Sequence, residues 1–298
     1  MFEEFKNAFA KPNNAHVQLI IINVVVFVVL GIIVVLPTIL GFGKISILVH
    51  NQFSIPPVFE DFLKRPWTII TYAFAHDLSG LLHILGNMFV LYWFGKLFIE
   101  YLGSDKLIAL YILGALAAAS FYLIMFNTVP FFKSQSNFPG MVGASGAIFA
   151  IMVGAATLLP DYTFFLLLFG PVRIKYIAAI YIFISFLGTG TIGGNAGGNL
   201  AHLGGALMGF VYIKQLQAGV NWGGWITVTL DWFKNLFRPQ SKVKVTYRKT
   251  ESRSKSKATG ASKASQEEID AILDKISDRG YESLSKDEKE KLFNASKK

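Results

Sequence analysis

The chain has 298 residues, of which 53% are hydrophobic and 16% charged, with a formal net charge of +9 and no cysteine. A soluble domain usually carries about 25% charged residues, so the composition argues against a water-soluble globule, and the missing cysteines exclude disulfides, thiol catalysis and cysteine-ligated zinc. Most basic residues follow Lys214 and no nucleic-acid reader motif accompanies them, which points to anionic lipid rather than nucleic acid.

Residues 1–16 read as a short N-terminal segment. The first apolar run, about 17–40, is too long for a signal-peptide core and no small-residue cleavage site follows it. It is expected to be a retained membrane helix, since about 30 Å of hydrocarbon takes roughly 20 residues to cross. The next segment, about 41–80, holds Pro56, Pro57 and Pro66 together with Phe53, Phe59, Phe62 and Trp67. Its apolar content suggests a long loop lying in the membrane interface. Further spans are expected at about 81–101, 106–127, 142–159, 173–190 and 199–218, six in all. Between the fourth and fifth, 161–175 is apolar but broken by Gly170 and Pro171, and reads as a loop or interfacial segment. The connection from Gly188 to Gly198 is glycine-rich and expected to be mobile.

Residues 219–264 read as an amphipathic stretch ending near Phe237 and a basic, disordered linker. Residues 265–298 recover helical signals. Ser265 with Glu268, and Ser285 with Glu288, have capping-box spacing. Ile269, Ile272, Leu273 and Ile276 form one apolar stripe, and Gly280 can end that helix. Such a hairpin is either a docking module for a cytoplasmic partner or a weakly folded, solvated tail.

Lys and Arg set the orientation. With the N-terminus inside, the inner face receives Lys6, Lys11, Lys96, Lys106, Arg173, Lys175 and the basic tail. The outer face receives only Lys44, Lys64, Arg65 and Lys133. Both termini are therefore expected to be cytoplasmic.

Polar side chains inside spans are costly and point to function. Span two holds His83 and Asn87, four residues apart on one helix face. Span four holds Ser145 in Gly143-Ala144-Ser145-Gly146, and span six holds His202, with Asn199 before it. All three spans run from outside to inside, and each polar group lies near the start. The side chains are thus expected at one depth, near the outer surface. Gly146, Ala150 and Gly154 form a small-residue stripe on span four, and Gly205 and Gly209 one on span six, with Ala206 beside it. Such faces let helices approach closely. That approach would bring the Ser145 hydroxyl to the His202 imidazole, a side chain suited to take its proton. His83, Asn87 and the Ser145 backbone N–H can donate to an oxyanion. No intramembrane Asp is available as a third member, so a Ser–His dyad oriented by packing is expected. His16 reads as a boundary residue and His50 as a loop residue.

Each signal alone has a plainer explanation. A lone Ser in a membrane helix usually bonds a neighbouring helix, and a lone His or Asn is usually structural. Their coincidence at one depth carries the argument. A transporter or metal-site reading using His83 and His202 lacks intramembrane acids, a visible repeat and a third ligand.

With these residues in place, the chain resembles the rhomboid family of intramembrane serine proteases over about 15–218. The resemblance rests on His83-Ile84-Leu85-Gly86-Asn87, Gly143-Ala144-Ser145-Gly146 and Ala201-His202-Leu203-Gly204-Gly205. It implies an all-α, six-helix membrane bundle over 17–218, with a water-filled cavity open to the outer side. It also implies cleavage of transmembrane proteins in or near their membrane segments. Ser145 is implied as nucleophile, His202 as base, and His83, Asn87 and Ser145 as the oxyanion site. Gly143, Gly146, Phe149 and Gly205 support them. Phe149 stands where the family often has Tyr, and can still stack on His202. His76 is implied to be structural, Glu100 to tie span two to neighbouring backbone, and the first loop to be a membrane-embedded hairpin. The glycine-rich loop is implied to cap the cavity. The C-terminal hairpin resembles a module of some bacterial members, which suggests a bacterial inner membrane. No cofactor and no metal are expected. The alternative is a non-catalytic relative that binds transmembrane helices, which would be expected to lack the Ser or the His.

Overall fold

The computed structural model describes residues 7–78, 80–134, 140–166, 168–190, 195–237 and 266–296. The chain divides into two units, 1–239 and 240–298. The first unit is a helical bundle. Its long helices are α1 (Ala15–Ile39), α5 (Leu81–Leu102), α6 (Ser104–Thr128), α8 (Ser145–Leu158), α9 (Ile174–Thr189) and α10 (Ala196–Gln217). Between α1 and α5 lie α2 (Gly43–Phe53), α3 (Phe59–Lys64) and α4 (Thr68–Thr71), and α7 (Pro130–Lys133) follows α6. A final helix, α11 (Gly224–Phe237), closes this unit.

By length and composition, α1, α5 and α6 can cross a membrane, and α8 and α9 are shorter apolar helices. The β-branched residues of α1 are modest helix formers in water. Inside hydrocarbon, however, a helix satisfies every backbone group within one segment. The α1 side chains Val28, Ile32, Leu36 and Ile39 are exposed, as lipid contact requires.

The centre is made of α6, α8 and α10. Residues Gly146–Ala156 of α8 are buried without interruption. Small residues set the spacing. A Cβ on Gly205 would overlap the Gly146 carbonyl, and one on Gly209 the Ala150 carbonyl. A Cβ on Gly146 would lie 2.6 Å from the Ala118 Cβ, so α6 closes on the same pair.

The segment expected as a loop before α5 is mostly helical and tied to α6. Tyr72 Oη donates to the Ala115 carbonyl at 2.7 Å, and Tyr111 Oη to that of Ala73 at 2.8 Å. Asn127 Nδ2 donates to the Pro57 carbonyl at 2.9 Å, while Asn127 Oδ1 accepts from the Phe59 N–H at 3.1 Å. Prolines had suggested irregular backbone, but they fall between the helices and leave each one intact. The expected loop at 161–175 is instead an antiparallel pair, β1 (Thr163–Leu166) with β2 (Gly170–Arg173). Gly170 takes φ +69°, open to glycine at little cost. Asp161 closes the base, meeting Lys175 Nζ at 2.7 Å and Arg173 Nη1 at 3.1 Å. The fold is thus mainly helical, as expected of an all-α membrane protein, with one small β hairpin among the described residues.

Two boundaries differ from expectation. Helix α8 begins at Ser145, not near 142, because Met141 pairs with Ile55 and the Gly143 N–H bonds the Tyr72 carbonyl instead. The amphipathic helix α11 belongs with the first unit, since Ile226 is buried in its core, rather than with the linker. The expected linker, 239–264, lies outside the described residues.

The second unit comprises α12 (Gln266–Arg279), a 3-10 turn (Tyr281–Ser283) and α13 (Lys286–Ser296). Gly280 ends α12 at φ +77°. The Ser285–Glu288 capping box forms in both directions. The Ser285 N–H donates to Glu288 Oε2 at 2.7 Å, and the Glu288 N–H to Ser285 Oγ at 3.3 Å. Ser265, expected to cap α12, lies outside the described residues.

Candidate active site

Ser145 is the first residue of α8. The helix has 14 residues, about 21 Å at 1.5 Å each, well short of a roughly 30 Å hydrocarbon layer. The serine sits at the start of this short helix. The segment before it is held on both sides. Met141 pairs with Ile55 through backbone bonds of 2.9 and 3.0 Å, and the Gly143 N–H donates to the Tyr72 carbonyl at 2.9 Å. The first N–H groups of a helix have no intrahelical acceptor, and its dipole favours negative charge there. Both features suit the start of α8 to a developing oxyanion.

Gly143 adopts φ +133°, a conformation that L side chains rarely take. A Cβ there would lie 3.7 Å from both His83 Nε2 and Ser145 Oγ. The two side chains thus flank one point at the mouth of α8.

His202 enters from α10. Its ring stacks on Phe149 of α8, with centroids 4.1 Å apart and planes 8° from parallel. Its Nδ1 lies 3.0 Å from Ser185 Oγ on α9. Its Nε2 is closed off from solvent and has no hydrogen-bond partner among the described residues. The expectation that packing alone orients the ring is therefore incomplete, because Ser185 engages it too. Sequence reasoning missed Ser185, since one hydroxyl in the apolar run Ile184-Ser185-Phe186-Leu187 has no spacing partner to mark it.

One cavity of about 480 Å³ collects these groups. Ser145, His202, His83, Asn87, Phe149 and Ser185 all line it. Gly143, Gly146 and Gly205 are not on its wall. They set the backbone geometry and helix spacing behind it. Asn87 Nδ2 is buried without a partner among the described residues, as is His202 Nε2. Unpaired buried polar atoms are uncommon and costly, about 1–3 kcal/mol each. Two around one cavity are suited to a bound reactant that would complete them.

His76, expected to be structural, is buried, with its ring centroid 6.1 Å from that of His83. Burial, and then the charge of His83, lowers its pKa to about 4, so it stays neutral near pH 7. His16, the second residue of α1, is buried against α5, with its ring 5.6 Å from Tyr92. Glu100 is exposed at the end of α5. Asn195 caps α10 by accepting from the Gly198 N–H at 2.9 Å, which ends the glycine-rich connection at a defined point. Residues 191–194 of that connection lie outside the described residues.

The sequence is similar to those of known proteins. The model of a family described as the rhomboid domain matches residues 63–217, just over half of the chain. Residues 261–298 match a family of unknown function (DUF6576). The chain is similar to RHOMBOID-like protein 12, mitochondrial, of Arabidopsis thaliana. The two are 37% identical over 164 residues, covering 52% of this chain and 48% of that protein. It is also similar to Presenilin-associated rhomboid-like protein A, mitochondrial, of Danio rerio. Here identity is 27% over 142 residues, covering 47% of this chain and 35% of the relative. The match thus spans about half of one relative and a third of the other.

Proposed function

Since the chain belongs to the rhomboid family of membrane proteins, we propose that it is a serine-type intramembrane endopeptidase that cleaves membrane proteins in or near their transmembrane segments. One observation carries the reading. Ser145 and His202 line a single cavity, with His202 Nδ1 engaged and Nε2 unpartnered.

Ser145 Oγ attacks the scissile carbonyl carbon while His202 Nε2 takes the hydroxyl proton. Negative charge on the carbonyl oxygen is met by Asn87 Nδ2, His83 and the Ser145 backbone N–H. His202 returns its proton to the departing amine, which breaks the C–N bond and leaves an acyl-serine. Water, deprotonated by His202, then attacks the acyl carbon; the ester bond to Ser145 Oγ breaks, the acid leaves, and His202 returns the proton to the serine. A dyad without a carboxylate suits an apolar surrounding, where an unpaired charge is expensive.

In this reading α1, α5, α6, α8, α9 and α10 are six membrane spans, with both termini on the cytoplasmic side. Ser145, at the start of the short helix α8, then lies below the outer surface. The first loop acts as an interfacial clamp on the segment before that helix. A bacterial inner membrane rests only on the resemblance of the C-terminal hairpin, and both relatives named above are described as mitochondrial. Residues 265–298 are assigned to binding a cytoplasmic partner.

A fluorophosphonate probe tests the reading, because it forms a covalent adduct only with an activated serine. The purified protein is expected to be labelled, and its Ser145→Ala variant is not. Equal labelling of both would remove Ser145 as nucleophile.

A further inference from the structure

Helix α9 is exposed over most of its length. Phe183, Ile184, Phe186 and Leu187 are each at least 56% exposed. Its fully buried residues are Ile174, Ala178 and Ser185. These follow helical spacing and mark the one face turned to the bundle. Two of the three are the apolar residues such a face needs. The third is a hydroxyl, 3% exposed, whose Oγ lies 3.0 Å from His202 Nδ1. A hydroxyl at that place adds nothing to apolar packing. It is buried in a polar contact with the imidazole of His202, which lines the cavity and whose Nε2 has no hydrogen-bond partner among the described residues.

The ring is thereby fixed in two independent ways. Phe149 covers its face and sets its plane. Ser185 reaches its edge and sets rotation within that plane. Stacking alone leaves the ring free to turn, and it does not choose a tautomer. A neutral imidazole carries its proton on one nitrogen, and the bond made by the other partner decides which. When Ser185 Oγ accepts from Nδ1–H, the lone pair is left on Nε2. That is the form able to take the Ser145 proton. The same acceptor remains in place when the ring becomes doubly protonated.

We propose that Ser185 is a positioning residue for the base. It holds His202 in the Nδ1–H tautomer, so that the centre comprises Ser145, His202 and Ser185 on three helices. The hydroxyl takes the orienting place of a triad carboxylate without burying a charge. No proton passes to it during the reaction. The inference rests on the function proposed above.

Three substitutions test it. Ser185→Ala removes the hydroxyl, Ser185→Val removes it while adding bulk, and Ser185→Thr has the shape of Val but keeps the oxygen. Cleavage of a transmembrane substrate in proteoliposomes is measured as kcat and KM, alongside the rate of fluorophosphonate labelling. For Ala and Val, kcat and the labelling rate are expected to fall about tenfold, the weight of one neutral hydrogen bond, with KM changed less than twofold. Thr is expected to restore at least half of the wild-type kcat. A merely structural role would instead make Thr and Val alike, since they differ only in the hydroxyl. Equal rates for Thr and Val, or an unchanged kcat in Ala, would overturn the proposal. Failure of the protease reading itself looks different, because wild type would then show neither cleavage nor labelling.

Discussion

Phe149 and His202 lie face to face, 4.1 Å between ring centroids and 8° from parallel, although they belong to different helices. The contact is possible because Gly205 and Gly209 let α10 approach the α8 backbone. Close helix packing and base orientation are therefore one structural feature. Stacked aromatic pairs contribute about 0.5–1.5 kcal/mol beyond buried area. Phe149→Ala is expected to lower kcat by up to about tenfold at 1.36 kcal/mol per decade. Phe149→Tyr keeps the ring and should retain activity within about twofold. Kinetics on the two purified variants check the contrast, and an equal loss in both would separate stacking from catalysis.

Asn87 carries the second expectation. Its Nδ2 is buried and unpartnered at the cavity wall. If it donates to the oxyanion, Asn87→Ala loses about 10²–10³ in kcat, while fold stability is little changed because Nδ2 has no partner to strand among the described residues. Thermal unfolding and kcat measured on the same preparation decide this. A large drop in melting temperature with unchanged kcat would assign Asn87 to structure.

Gly205 tests the helix crossing. A Cβ there meets the Gly146 carbonyl, which is backbone and cannot swing aside. Gly205→Val should therefore push α10 from α8. Overpacking typically costs about 1–3 kcal/mol, and a displacement near 1 Å can lower the rate about 10²-fold. Activity is expected to fall further than stability. Full activity in a Gly205→Val variant would show that the crossing does not position the base.

Much of this arrangement was legible in the residues, for identifiable reasons. The long helices begin and end within a few residues of the apolar runs, because lipid contact forces a long apolar run wherever α1, α5 and α6 lie. The Gly205–Gly209 and Gly146–Ala150 faces were readable because close approach requires small residues at four-residue spacing. Ser145, His202, His83 and Asn87 stood out because polar side chains are scarce in apolar runs. The missed features have no such pattern. Ser185 is a single hydroxyl. The helices α3 and α4 have only six and four residues, too short for periodicity to show. The Tyr72, Tyr111 and Asn127 clamps pair residues 38 to 70 positions apart. The β1–β2 hairpin depends on Gly170, which looks the same in sequence whether it ends a helix or reverses a strand.

Glu288 gives a pH expectation in the second unit. The Ser285 N–H, and then the Lys275 ammonium at 2.9 Å, pull its pKa down to about 2. A carboxylate depressed on folding stabilises the folded state above its unfolded pKa, near 4.3. That contribution is lost as pH falls from there toward about 2. Glu288→Gln at pH 7 should resemble the acid form, with faster amide exchange in the first turn of α13. Hydrogen exchange on the intact protein, corrected for intrinsic rates, reads this directly. Unchanged protection in the variant would show that the cap is dispensable.

The central claim, hydrolysis by Ser145 with His202 as base, is tested most directly in proteoliposomes. Purified wild type, Ser145→Ala and His202→Ala are each combined with a single-span substrate, and the cleaved bond is located by mass spectrometry. Wild type is expected to cut at one bond in or near the membrane segment, while both variants insert normally and leave the substrate intact. Cleavage at the same bond by Ser145→Ala protein would contradict the account.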